Sequence, residues 1–175
     1  MASPRFLLAR RRAAELLQQA RIRRAPVPVD RLARLAGAEI HYEPFDGEVS
    51  GLLHRQRHGP TIIGVNSAHA TTRQRFTIAH ELGHLVLHRD ETFHVDERPV
   101  IRFRNQESSQ ATNAEEVEAN QFASELLMPD YLLSKELSRL PADMSPEDAV
   151  SVLAKRFQVS EQALTLRLTR SGVLA

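Results

Sequence analysis

The chain has 175 residues, 42% hydrophobic and 26% charged, with a formal net charge of +1. This is the composition of one globular domain, with room for a small appendage, and not of a disordered chain. It contains no cysteine, which excludes a disulfide framework and a cysteine-ligated zinc and leaves any metal work to histidine and carboxylate.

Charge is unevenly spread. Residues 1–34 carry nine arginines against Glu15 and Asp30, a net +7, whereas 107–148 carry ten acids against Lys135 and Arg139, a net −8. Such asymmetry marks a nucleic-acid or partner surface, or two ends that neutralise each other in the fold. Arg10-Arg11-Arg12 interrupts the first apolar run, and no stretch is long enough to span a bilayer. No signal peptide or membrane attachment is therefore expected, and the expected place is the cytoplasm.

In chain order, residues 4–24 read as an amphipathic helix with a basic outer face, ended by Pro26 and Pro28. Asp30 caps a short helix, Arg31–Ala36, stopped by Gly37. Three strand-like runs follow, Ala38–Tyr42, Val49–Arg55 and Thr61–Val65, separated by turns at Asp46-Gly47 and His58-Gly59-Pro60. Thr72–His88 is the next helix, with Thr71 or Thr72 as N-cap. Its apolar residues cover most of its circumference, so it is expected to be buried. Pro99–Phe103 reads as a further strand and Arg104–Ala114 as a polar loop. Helices are then expected over Ala114–Met128 and Tyr131–Leu140, each closed by a proline. Ser145-Pro146-Glu147-Asp148 combines a serine cap, proline at the first position and acids in the first turn. After a break at Gln158-Val159, Ser160 caps the last helix, closed by Gly172. The whole is an α+β fold: a small antiparallel sheet packed on the 72–88 helix and the 114–128 helix. Residues 1–140 form the main domain, and 141–175 a helix-turn-helix-like segment packed on it.

The chemistry concentrates in His80-Glu81-Leu82-Gly83-His84. Histidines four positions apart share one helix face and can bind one ion. Glu81 can reach a water on that ion without ligating it. This is the HExxH pattern of zinc hydrolases, with the glutamate as general base. Two histidines and a glutamate in so apolar a helix are costly unless paired or bound. Gly83 costs roughly 1 kcal/mol against alanine in a helix interior, which points to another chain segment approaching closely. His88 lies about 12 Å along the axis from His80, too far to share the ion. A third ligand is sought on the 114–128 helix, where Glu116, Ala119, Asn120, Ala123 and Leu127 share a face. Two alanines there allow close packing on the His80 helix, which brings Glu116 to the ion and lets Asn120 bond a ligand histidine from behind. Glu115 and Glu118 are the rival carboxylates.

His-Glu-Leu-Gly-His together with Glu116-x-x-Ala119-Asn120-x-Phe122-Ala123 and Leu126-Leu127-Met128-Pro129 resembles the ImmA/IrrE family of zinc metallopeptidases. The resemblance extends to Arg73-Gln74-Arg75-Phe76-Thr77 and Val49-Ser50-Gly51. It implies a gluzincin-like site holding one Zn²⁺ on His80, His84 and Glu116, with Glu81 as catalytic base. It also implies cleavage of a helix-turn-helix transcriptional repressor, which releases stress or mobile-element genes. The alternative is a metal-containing regulator that binds a partner or DNA without cutting. His88, His94, Arg102 and Tyr131 are the candidates for stabilising the oxyanion, and Thr61–Val65 is a candidate edge strand for an extended substrate. In the last helix Gln162, Arg167 and Arg170 could face DNA, but the helix begins with Glu161 and its charge is weak for that purpose. Packing or substrate docking is preferred there.

Overall fold

The computed structural model describes residues 3–46, 49–56, 58–88, 93–96 and 110–171. Its elements run α1 Phe6–Gln19, α2 Val29–Leu35, β1 Ala38–Glu43, β2 Gly51–Arg55, β3 Thr61–Asn66, α3 Thr71–Leu87, β4 Phe93–Asp96, α4 Gln110–Leu127, α5 Asp130–Leu137, α6 Pro146–Phe157 and α7 Glu161–Arg170. The fold is α+β, as the alternation of strands and long helices implies. The expected strand at Pro99–Phe103 lies outside the described residues.

The sheet order is β1-β3-β2-β4. β2 pairs antiparallel with both β3 and β4, but β1 and β3 run parallel, with Ala38 opposite Thr61. The sheet is therefore mixed, where a purely antiparallel one was expected. β3 inserts between β1 and β2, so these two strands, consecutive in sequence, are not neighbours in the sheet. Buried Asn66 ties this crossing down: its Nδ2 donates to the carbonyls of Phe45 and Val49, and its Oδ1 accepts from the Ala68 amide. One consequence is a correction. β3 is an interior strand with a partner on each side, so Thr61–Val65 has no edge to offer an extended peptide.

α3 packs on β2, β3 and α4, and α1 packs along α4 and also touches α3. The core joins Leu53, Ile63 and Val65 of the sheet to Ile78 and Leu82 of α3, Phe122 and Leu126 of α4, and Leu153, Phe157 and Leu164 of the last two helices.

The helix ends show what local sequence controls. α6 begins as read: Ser145 Oγ accepts from the Asp148 amide, with Pro146 inside the first turn. Ser160 caps α7 through the Ala163 amide. α1 is shorter than expected. Arg21 turns left-handed (φ 53), and the amides of Arg21 and Ile22 bond back to the carbonyls of Gln18 and Leu17. This closes the helix with Ile22 and Leu17 both buried. No glycine announced it. α4 starts earlier than expected, at Gln110, because Gln-Ala-Thr-Asn is polar but contains nothing that breaks a helix.

The two charged ends do meet. Arg5 pairs with Glu118 and Arg10 with Asp130, so part of the basic excess neutralises the acidic stretch inside the fold. Among the described residues no helix is long and apolar enough to cross a membrane.

Candidate metal centre

The second half of α3 is the most buried helical segment next to the sheet: His80, Glu81 and His84 have no exposed surface. Two glycines make this possible. A Cβ on Gly83 would lie 3.0 Å from Ala119 Cα and 3.3 Å from Ala119 Cβ, so α3 and α4 approach as closely as two helices without a side chain between them. Gly51, at the start of β2, plays the same part on the other side. A Cβ there would collide with Thr77, approach Gly64 O at 2.9 Å and reach 3.6 Å from Glu81 Oε1. Gly51 thus leaves room for Thr77 of α3 and the Gly64 carbonyl, and Ser50 Oγ accepts from Arg73 Nη2 at 2.7 Å.

The close approach of α3 and α4 sets Glu116 between two imidazoles. Its Oε2 lies 3.3 Å from His80 Nε2, its Oε1 lies 3.2 Å from His84 Nε2, and the two Nε2 atoms are 3.2 Å apart. His94 of β4 joins them: its Nε2 is 3.3 Å from Glu116 Oε1, and its ring stacks on that of His84 with centroids 3.8 Å apart. One ligand atom from each of the four residues lies within 4.8 Å of the others. Around an ion with Zn–N bonds of about 2.0–2.1 Å, tetrahedrally placed donors are about 3.3 Å from one another. The 3.2–3.3 Å separations among His80, His84 and Glu116 match that edge, and imidazole nitrogen with carboxylate oxygen is a donor set zinc accepts. The residues fit the metal that their pattern implies. Burial opposes ionisation of Glu116, but hydrogen bonds and charge from His80 and His84 outweigh it and hold the carboxyl well below the usual carboxylate range.

Behind the cluster, Asn120 Oδ1 lies 3.1 Å from His80 Nδ1, one turn along α4 from Glu116. Glu118 points away from Glu116, to Arg5 and His88. Of the described candidates for the oxyanion, His94 alone stands at the cluster. His88 lies behind His84, Tyr131 Oη donates to Ile22 O at 2.9 Å elsewhere on the surface, and Arg102 lies outside the described residues. The sequence reading missed one support altogether. Arg55 Nη2 donates to the carbonyls of His84, Leu85 and His88 and so places a cation at the C-terminal carbonyls of α3. β2 delivers it there, and only the register with β3 places it.

The profile of the IrrE N-terminal-like domain, a peptidase family, matches residues 33–169, and this chain belongs to that family. Among curated proteins it is 32% identical over 138 residues to the radiation response metalloprotease IrrE of Deinococcus radiodurans. The alignment covers 79% of this chain but 38% of that protein, so the chain spans well under half of its relative's length.

Proposed function

We propose that this chain is a zinc-dependent endopeptidase that hydrolyses a peptide bond in a specific protein, its site built on His80, His84 and Glu116 with Glu81 as base. The observation that carries the reading is the convergence of two Nε2 atoms and one carboxylate at tetrahedral spacing, one residue from a fully buried glutamate. When bound, Zn²⁺ supplies Lewis acidity, polarising the scissile carbonyl and making water a nucleophile near neutral pH. Asn120 accepts from His80 Nδ1–H, which leaves the Nε2 lone pair directed at the ion. The Glu81 carboxylate takes a proton from the attacking water; as the C–N bond breaks, it returns that proton to the leaving amine.

The substrate proposed is a transcriptional repressor of helix-turn-helix type, whose loss would switch on stress or mobile-element genes. Support comes from the family and from the relative's being named a radiation response protease. Direct DNA reading by α7 is disfavoured by its own arginines. Arg167 is buried against Glu125, Asp130 and the Met128 carbonyl, and the Arg170 guanidinium lies over the Phe6 ring. The 141–175 segment is better read as packing on the main domain.

One observation favours a second reading, a metal-containing regulator that binds without cutting. With His94 included, the cluster has four protein donors, as in a closed structural site. The deciding experiment incubates host-cell extract with zinc-loaded wild type or Glu81→Gln and compares new protein N-termini by mass spectrometry. One or a few termini unique to wild type establish the peptidase and identify its substrate. Identical terminus sets from two folded, zinc-bound proteins favour the regulator.

A further inference from the structure

His84 is backed by a line of hydrogen bonds that leaves the metal cluster and ends at the start of the chain. His84 Nδ1 lies 3.2 Å from His88 Nδ1, and His88 Nε2 lies 3.1 Å from Glu118 Oε2. Glu118 in turn is gripped by Arg5: Nη2 donates to Oε2 at 2.8 Å, Nε donates to both oxygens at 3.0 and 3.1 Å, and the Arg5 amide donates to Oε1 at 2.7 Å. The side chains of His88 and Glu118 are 2% and 4% exposed, so water does not compete for the His84–His88 and His88–Glu118 bonds, while Arg5 closes the line from a half-exposed position.

The direction of each proton follows from the far end. A carboxylate facing a guanidinium is ionised and only accepts. His88 therefore carries its proton on Nε2, which leaves Nδ1 as an acceptor. His84 must then carry its proton on Nδ1 and keep a bare lone pair on Nε2, the atom 3.2 Å from Glu116 Oε1. At His80 the Asn120 Oδ1 atom facing Nδ1 matches the same tautomer. The two ligand histidines thus have different supports: one amide from the neighbouring helix for His80, and a three-residue line crossing three elements for His84.

We propose that His88, Glu118 and Arg5 are positioning residues that fix the tautomer and ring orientation of His84 for the metal, so that the N-terminal segment is part of the metal centre. The proposal rests on the zinc reading above. Arg5 lies outside the stretch, 33–169, that matches the family profile. It is held in place because α1 packs along α4, which makes seating of α1 and seating of the His84 ring a single event. An acceptor behind a ligand histidine fixes its tautomer and raises its basicity, here the His88 ring with Glu118 behind it, and loss of such support typically weakens metal binding 10–100-fold.

The test measures zinc affinity by chelator competition and the visible absorption of the cobalt-substituted protein. It uses wild type, His88→Phe, His88→Gln and Arg5→Met, each checked for folding without metal by circular dichroism. His88→Phe should weaken zinc about 10–100-fold and change the cobalt spectrum. His88→Gln should recover most of both, since an amide oxygen can accept from His84 Nδ1–H while its nitrogen donates to Glu118. A role confined to packing predicts the reverse order, because phenylalanine fills the ring's space and glutamine does not. Arg5→Met should weaken zinc in the same direction as His88→Phe. Wild-type affinity and spectrum in folded His88→Phe and Arg5→Met overturn the positioning line while leaving the metal centre intact. A folded wild type that binds no zinc overturns the metal centre, and the positioning line with it. If His88→Phe does not fold, Arg5→Met and His88→Gln decide: both indistinguishable from wild type overturns the line, and weakened zinc in Arg5→Met with recovery in His88→Gln supports it.

Discussion

Glu125 and Glu116, on the two halves of α4, meet their partners in opposite ways. Toward its C-terminal end Glu125 meets Arg167, whose Nη2 sits 2.6 Å from Glu125 Oε2 and 2.7 Å from Asp130 Oδ1, while its Nε donates to Met128 O. That cluster is a cation, two carboxylates and a carbonyl, and it locks α7 to α4 and α5. Nine residues earlier, Glu116 meets imidazole nitrogens of His80, His84 and His94, groups that ligate metals when neutral and deprotonated. Glu125 is completed by a cation of the chain itself, as Glu118 is by Arg5, whereas Glu116 gathers ligand atoms around a point. Burial of charge alone therefore does not mark a functional site. The chemical kind of the groups gathered does.

The strongest way to break this comparison is to remove the central member of each cluster. Arg167→Leu leaves two carboxylates facing a hydrophobic side chain, with Glu125 buried. It should cost about 3–5 kcal/mol of stability in urea denaturation, while the folded fraction binds zinc as wild type does. Glu116→Ala should do the converse: zinc content after dialysis falls to background and the metal-free protein keeps its fold. If Arg167→Leu abolished zinc binding, or Glu116→Ala unfolded the chain, the two halves would not be separable.

Metal removal sharpens the same point. Zinc at 100 times its dissociation constant stabilises the native state by about 2.7 kcal/mol. A chelator should therefore lower the melting temperature of wild type and of the Ser145→Ala variant but leave Glu116→Ala unmoved. Gly83→Ala is a smaller, mixed perturbation. The helix propensity gained is outweighed by a Cβ placed 3.0 Å from Ala119 Cα, so a loss of about 1–3 kcal/mol is expected. Zinc should weaken as well, because the α3–α4 approach that brings Glu116 to the histidines is widened. The smallest effect is Ser145→Ala, which removes the cap on the Asp148 amide and should cost about 1 kcal/mol with no change in zinc affinity.

These effects follow how far each feature could be read along the chain. Helix starts at Ser145 and Ser160 are interactions three residues long and could be placed to the residue. The α3–α4 face was legible too, since i, i+3, i+4 spacing places Glu116, Ala119, Asn120 and Ala123 together on any helix. Gly83 announced a close neighbour without naming Ala119. β4 was not legible: four residues give too short an alternation to tell strand from loop. With it went the place of His94, which reaches the cluster only because β4 pairs with β2.

What the sequence by itself determined is therefore local: the paired histidines with their glutamate, the caps at Ser145 and Ser160, the face of α4 and the family likeness they carry. All arise from periodicities and contacts within a few residues, where backbone geometry leaves little choice. The caps expected at Asp30 and at Thr71 or Thr72 did not form, since α2 follows Pro28 and α3 follows Ala70 without a side-chain cap. The tertiary structure alone decided that β3 is interior, that Arg55 closes the end of α3, that Arg167 is buried against carboxylates, and that Arg5 stands behind His88 and Glu118. Those pairings join residues 29 to 113 positions apart. Over such distances partnership is set by which faces pack and in what register, because burying the apolar core orients the helices and brings their polar side chains together.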